Sequence, residues 1–102
     1  MNPNEASANK TYNITGNGVT ILPGKFVLIA LVVGTKGGSG HTAQIYDSNE
    51  AIGANADRKK ATIDTVNTYG RIDLGFPVFD GIYIVHGGGT TADITVIYAE
   101  TP

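Results

Sequence analysis

The chain has 102 residues, no cysteine and a formal net charge of −2. These features exclude disulfides and thiolate metal sites, leave the redox compartment open, and give no basic footprint for nucleic acid. The length fits one domain around one core. Only 16% of the residues are charged, against about 25% in an ordinary soluble domain, so either the wet surface is modest or part of it is hidden against partners.

The first ten residues, MNPNEASANK, have neither a basic start nor an apolar run. They do not read as a secretory signal. They are expected to form a flexible arm (residues 1–10) ahead of a folded domain (11–102). TYNIT (11–15) and GVTIL (18–22) then follow, joined by Gly16-Asn17, a pair suited to a two-residue turn. After Pro23-Gly24 comes the most apolar stretch, KFVLIALVV (25–33). Its eight-residue apolar run is far short of the roughly 20 residues of a membrane-spanning helix, so no membrane contact is expected. It reads as a strand buried on both faces.

GTKGGSG (34–40) is a loop, and HTAQIYD (41–47) alternates in strand fashion. In NEAIGANADRKKA (49–61), Gly53 and two asparagines leave room for one helical turn at most. KATIDTV (60–66) and RIDLGFPVF (71–79) alternate again. In the latter, Ile72, Leu74, Phe76 and Val78 share one side, and Pro77 points to an edge or a bend. Asp80-Gly81 turns into IYIVH (82–86), and a triple glycine leads to ADITVIYAE (92–100).

About eight strands punctuated by turns mark an all-β chain, a single antiparallel β-sandwich. A jelly roll is the preferred topology. An immunoglobulin-like sandwich is the alternative, although its tryptophan and paired cysteines are missing. The expected core is Val27, Ile29, Leu31, Val33, Ile45, Ile63, Ile72, Leu74, Ile82, Ile84, Ile94 and Val96.

Candidate chemistry is sparse. His86-Gly87-Gly88-Gly89 resembles an esterase oxyanion-hole motif, but no nucleophile elbow accompanies it. At Ser39, the best nucleophile candidate, His41 stands where the second glycine belongs. Lys36 precedes the glycines of its loop instead of following them, so a phosphate loop does not fit. His41 and His86 could share a metal with Asp47 or Asp93 if both glycine loops met at one end. Solvent-facing histidines at strand ends are the simpler expectation.

The aspartates sit beside turns (Asp57, Asp80) or on outward strand positions (Asp64, Asp73, Asp93), unlike a glycosidase pair. Arg58-Lys59-Lys60 is too short to track a phosphate backbone. Tyr12, Tyr46, Tyr69, Tyr83 and Tyr98, with Phe76 and Phe79, suit a partner interface better than a sugar platform. No catalytic residue, cofactor or metal site is assigned.

ATIDTVNTYGRIDLGFPVFDGIYIVHGGGTTADITVIYAE (61–100) resembles the C-terminal part of small structural proteins of tailed bacteriophages. The shared pattern is an apolar strand, an Asp-Gly turn, a Gly-Gly-Thr turn and a closing Ala-Asp-x-Thr-Val-x-Tyr strand. FVLIALVVGTKGGSGHTAQIYD (26–47) is similar to their preceding hairpin. The resemblance implies a non-enzymatic virion protein at the capsid surface, assembled in the host cytoplasm. The expected role is a decoration or cement protein that stabilises a shell of major capsid protein, itself a homo-oligomer and preferably a trimer. A carbohydrate- or receptor-binding module of a head fibre or tail is the alternative. The expected partner-contact residues are Asn2, Pro3 and Asn4 in the arm, and Phe76, Phe79 and Tyr83 in the domain.

Overall fold

The computed structural model describes residues 9–50 and 56–101. The chain forms eight strands: β1 (Lys10–Ile14), β2 (Gly18–Pro23), β3 (Phe26–Thr35), β4 (Thr42–Asp47), β5 (Lys59–Asp64), β6 (Gly70–Val78), β7 (Gly81–Gly87) and β8 (Asp93–Glu100). The expected helical turn is a single 3₁₀ turn, Ala56–Arg58. Lys10, counted above with the arm, is the first residue of β1. It pairs opposite Tyr98 and bonds Glu100 at 2.6 Å. Asn2, Pro3 and Asn4 lie outside the described residues.

The strands form two antiparallel four-stranded sheets, ordered β1-β8-β3-β6 and β2-β7-β4-β5. Four of the pairings, β1 with β8, β2 with β7, β3 with β6 and β4 with β5, follow one rule. The chain doubles back at the β4–β5 connection into a long two-stranded ribbon, and the ribbon rolls so that β8 meets β3 and β7 meets β4. This is the jelly roll, not the immunoglobulin arrangement.

The core fills from both inner faces. Ile14, Phe26, Leu28, Leu31, Val33, Val78, Ile94 and Val96 come from one sheet, and Ala43, Ile45, Ile63, Ile82 and Ile84 from the other. Ile72, Leu74 and Phe76 pack against this core from the edge strand β6 and stay half-buried. Phe26 meets Tyr98 edge to face at 5.0 Å, closing one end.

The expected core was wrong at β3, and a bulge is the reason. Leu28 pairs with Tyr98, but Ala30 pairs with Ile97, so Ile29 is an extra residue relative to β8. One extra residue shifts the side-chain phase. Phe26 and Leu28 therefore point inward before the bulge, and Leu31 and Val33 after it. Val27 and Ile29, expected inside, lie on the outer face. Val27 is 36% exposed and Ile29 half-buried, so β3 is not buried on both faces. On the other side, β6 carries its own extra residue where Leu28 faces Phe76 and Ala30 faces Asp73. Gly75 sits there with φ of 71°, a conformation other residues adopt only under strain.

The bulge makes a prediction about adjacent residues. Leu28→Ala is expected to cost about 3 kcal/mol, the usual range for a buried leucine, whereas Val27→Ala should cost less than about 1 kcal/mol. Denaturant titration of the two variants checks this, and equal losses would reject the inward–outward assignment.

Candidate interaction surface

At one end of the sandwich lie the connections β1–β2, β3–β4, β5–β6 and β7–β8. The two glycine loops do meet there. The Gly38 N–H donates to the Thr90 carbonyl at 3.0 Å, and the Thr90 N–H returns a bond to Gly38 at 2.8 Å. The backbones pack so closely that a Cβ on Gly89 would run into the Gly38 and Ser39 carbonyls. The His-Gly-Gly-Gly stretch is thus part of a turn packed against the β3–β4 loop. Ser39 is exposed on the loop with φ of 55°.

Contrary to the expectation above, His41 and His86 do not face solvent. They are 1% and 5% exposed. His41 Nε2 lies 2.9 Å from Asn17 Oδ1, and Asn17 Nδ2 donates to the Gly89 carbonyl at 3.1 Å. An amide oxygen only accepts, so His41 carries its proton on Nε2. The Thr65 hydroxyl stands 2.6 Å from His41 Nδ1 and 2.8 Å from the His41 carbonyl. That carbonyl also takes the Thr65 N–H at 3.3 Å, and the hydroxyl, with one proton, bridges the carbonyl and the Nδ1 lone pair. One neutral imidazole therefore ties all four connections together: Asn17 from β1–β2, His41 from β3–β4, Thr65 from β5–β6 and Gly89 from β7–β8.

His86 Nε2 pairs with the Thr20 hydroxyl at 3.1 Å. Among the described residues no acid bonds to either ring. Asp47 lies at the other end of β4, and Asp93 bonds Asn13 Nδ2 at 2.7 Å. Among the described residues no group of three or more metal-type ligands exists.

At the opposite end, Asp47 plays the matching part. Its carboxylate accepts the N–H groups of Phe79 (3.0 Å), Asp80 (2.9 Å) and Gly81 (3.3 Å). The Gly24 N–H donates to the Asp80 carbonyl at 3.0 Å, and the Ser48 N–H to Gly81 at 3.1 Å. Burial alone would raise the Asp47 carboxyl. The three amides, aided by Lys60, outweigh it and hold the group below its usual 3.8. The basic run is also engaged within the chain. Arg58 pairs with Asp80 at 3.3 Å, and the Lys59 ammonium stands 5.8 Å from the Tyr46 ring centre.

The three described aromatics expected at a partner contact divide. Phe79 is 64% exposed in the β6–β7 turn. Phe76 is half-buried against the core. Tyr83 is 2% exposed, edge to face with Tyr46 at 5.6 Å, which removes it from any accessible surface. Register decides this: Tyr83 faces Tyr46 across β7–β4, on the outer side of that sheet, and both rings are buried there.

The surface the aromatics did not reveal is the outer face of the β1-β8-β3-β6 sheet. The outward positions of its two central strands that reach the surface are Val27, Ile29 and Val32 from β3, and Thr95, Ile97 and Ala99 from β8, while Ala30 is fully buried. Pro77 extends the row beside Val27. An antiparallel sheet with a wet face normally alternates polar outward residues. Here the outward row is aliphatic across two adjacent strands, a patch of the kind that marks an interaction site. The other sheet's outer face holds an open pocket of about 210 Å³ lined by Thr42, Gln44, Val85, His86, Gly87 and Gly88. Comparison of the chain with protein-family models and with curated proteins finds no match.

Both polar anchors predict a pH response. Burial lowers the pKa of His41, and burial plus the neighbouring His41 lowers that of His86, from the usual 6.5. The unfolded chain then binds protons that the folded chain refuses. Their contribution is complete above pH 6.5 and is lost as pH falls below it. Asp47, with its folded value also depressed, contributes above 3.8 and is lost only below that. Melting temperature should therefore fall in two stages on acidification. His41→Gln should flatten the upper stage, and thermal melts from pH 7.5 to 3 would show it. Asp47→Ala is expected to cost about 2 kcal/mol, since bonds to a charged group are lost, or about 10 °C in melting temperature.

Proposed function

We propose that this jelly roll is a non-enzymatic decoration protein that grips the major capsid protein shell of a tailed bacteriophage. The observation that carries the reading is the aliphatic outer row of β3 and β8, Val27, Ile29, Val32, Ile97 and Ala99. A shell surface offers many equivalent copies of one shallow contact, and repeated weak contacts add without any deep pocket. Of the polar side chains that could have served chemistry, His41 and Asp47 are occupied in tying loops and His86 in a bond to Thr20 on the neighbouring strand β2. The sequence resemblance to small phage structural proteins supplies the partner's identity.

A glycan-binding module is the second reading, favoured by the Thr42 and Gln44 side chains at the 210 Å³ pocket. Its lining holds no phenylalanine, tyrosine or tryptophan, so the broad stacking platform that sugar rings favour is missing from it.

Co-sedimentation with capsid shells of the encoding phage tests the proposal. The wild-type protein should pellet with shells, and Val27→Glu and Val32→Glu should each weaken binding at least about tenfold, a loss of roughly 1.4 kcal/mol. Melting temperatures of the variants should stay within a few degrees of wild type, because both side chains point away from the core. Wild-type protein that remains in the supernatant, or variants that pellet as wild type does, would reject this reading. Hits on a glycan array abolished by Gln44→Ala would favour the second.

A further inference from the structure

Four strands border the two sheets: β1 and β6 in one, β2 and β5 in the other. Open edges invite pairing with other chains, and proteins usually blunt them. β1 is short, at 5 residues. β2 has 6 and ends at Pro23. β5 begins with Lys59 and Lys60, both exposed. β6 is the exception, with 9 residues. The bulge at Leu74-Gly75 and then Pro77 interrupt its C-terminal half, but Gly70–Asp73 carries neither a proline nor a bulge. In and beside this open stretch, Ile72 and Leu74 stay half-buried although they face the core side. On the outer side Arg71 and Asp73 contact each other at 2.7 Å while 53% and 82% exposed.

We propose that a second copy of this chain covers that edge, with the two β6 strands pairing antiparallel about a twofold axis at Ile72. Charge selects the register. A twofold centred on Arg71 or Asp73 would place that residue opposite its own copy and set like charges directly across the ladder, which is destabilising. A centre at Ile72 places Arg71 of each chain opposite Asp73 of the other. It also sets Ile72 against its own copy and Gly70 against Leu74, covering the half-exposed apolar row. Such a contact is isologous and closes at two copies, in place of the trimer expected from the family resemblance. The two four-stranded sheets become one sheet of eight, and the aliphatic outer rows lie on the same side of it. The paired edge is narrower than the roughly 800 Å² per partner of a standard interface, so the dimer forms at micromolar or higher concentration.

The proposal stands apart from shell binding and is tested without a shell. Sedimentation equilibrium of the full chain should show concentration-dependent dimers. Arg71→Asp and Asp73→Arg each create two like-charge pairs by symmetry, and each should weaken dimerisation by about tenfold. The double variant Arg71→Asp/Asp73→Arg restores opposite charges and should dimerise as wild type does. Both positions are exposed, and circular dichroism checks that the variants are folded. A chain that stays monomeric up to about 1 mM (a binding energy weaker than about 4 kcal/mol) would overturn the proposal. So would single variants that dimerise normally, or a double variant that fails to recover.

Discussion

The fold depends on polar closure at the two ends of β4. The apolar core drives the sheets together, but it does not choose among loop arrangements, because burial is non-directional. His41, one residue before β4, and Asp47, its last residue, do choose. One imidazole holds the four connections at one end, and one carboxylate gathers three amides at the other. A chain with 14 glycines loses much backbone entropy in folding. Bonds that fix glycine-rich loops in a single arrangement offset that loss where the core cannot reach. Among the described residues, no buried side-chain polar atom is left without a hydrogen-bond partner, so closure strands no polar group in the interior.

Much of this fold is legible in the sequence, and the missing parts share a cause. Alternation in Arg71–Val78 and Gly-rich breaks give eight strands, because period two and turn chemistry are local properties. The bulge at Ile29 is not local. Phe26-Val27-Leu28-Ile29-Ala30-Leu31 is apolar throughout, so either phase looks equally buried until β8 sets the register. The roles of Asp47 and His41 are hidden for a similar reason. Asp47 bonds residues 32 or more positions away, and His41 reaches Thr65 and Asn17 across 24 positions each. A polar residue at a strand end carries no mark of which distant loop it will hold. Tyr83 shows the same limit: it is outward in phase, yet buried with Tyr46.

The candidate surface was only half legible. The low charged fraction allowed for hidden surface, but the search for it settled on aromatics, where interface energy usually concentrates. The structure moves attention to valine, isoleucine and alanine on the outer face of β3 and β8. Of these, Val27 and Ile29 read as core in the sequence because they are apolar. The phase shift at the bulge is what delivers these two outward: without it, Val27 and Ile29 would complete the interior and the sheet would present Phe26 and Leu28 instead. One inserted residue thus decides which side of the strand is available to a partner.

This division of labour gives a physical reason to read the molecule as a binding element. A jelly roll hosts many unrelated functions, so the fold by itself assigns none. What narrows the choice is where the polar groups are spent. Groups that do chemistry need free lone pairs and access to substrate, whereas the imidazole of His41 has both nitrogens engaged and is shut off from solvent. Loops locked in this way cannot close over a ligand, but they also lose little further entropy when another surface settles on the sheets. Affinity then comes from complementarity without an ordering cost. An aliphatic face and one long edge strand suit the two contacts proposed above, face-on to a partner of different chemistry and edge-on to a second copy.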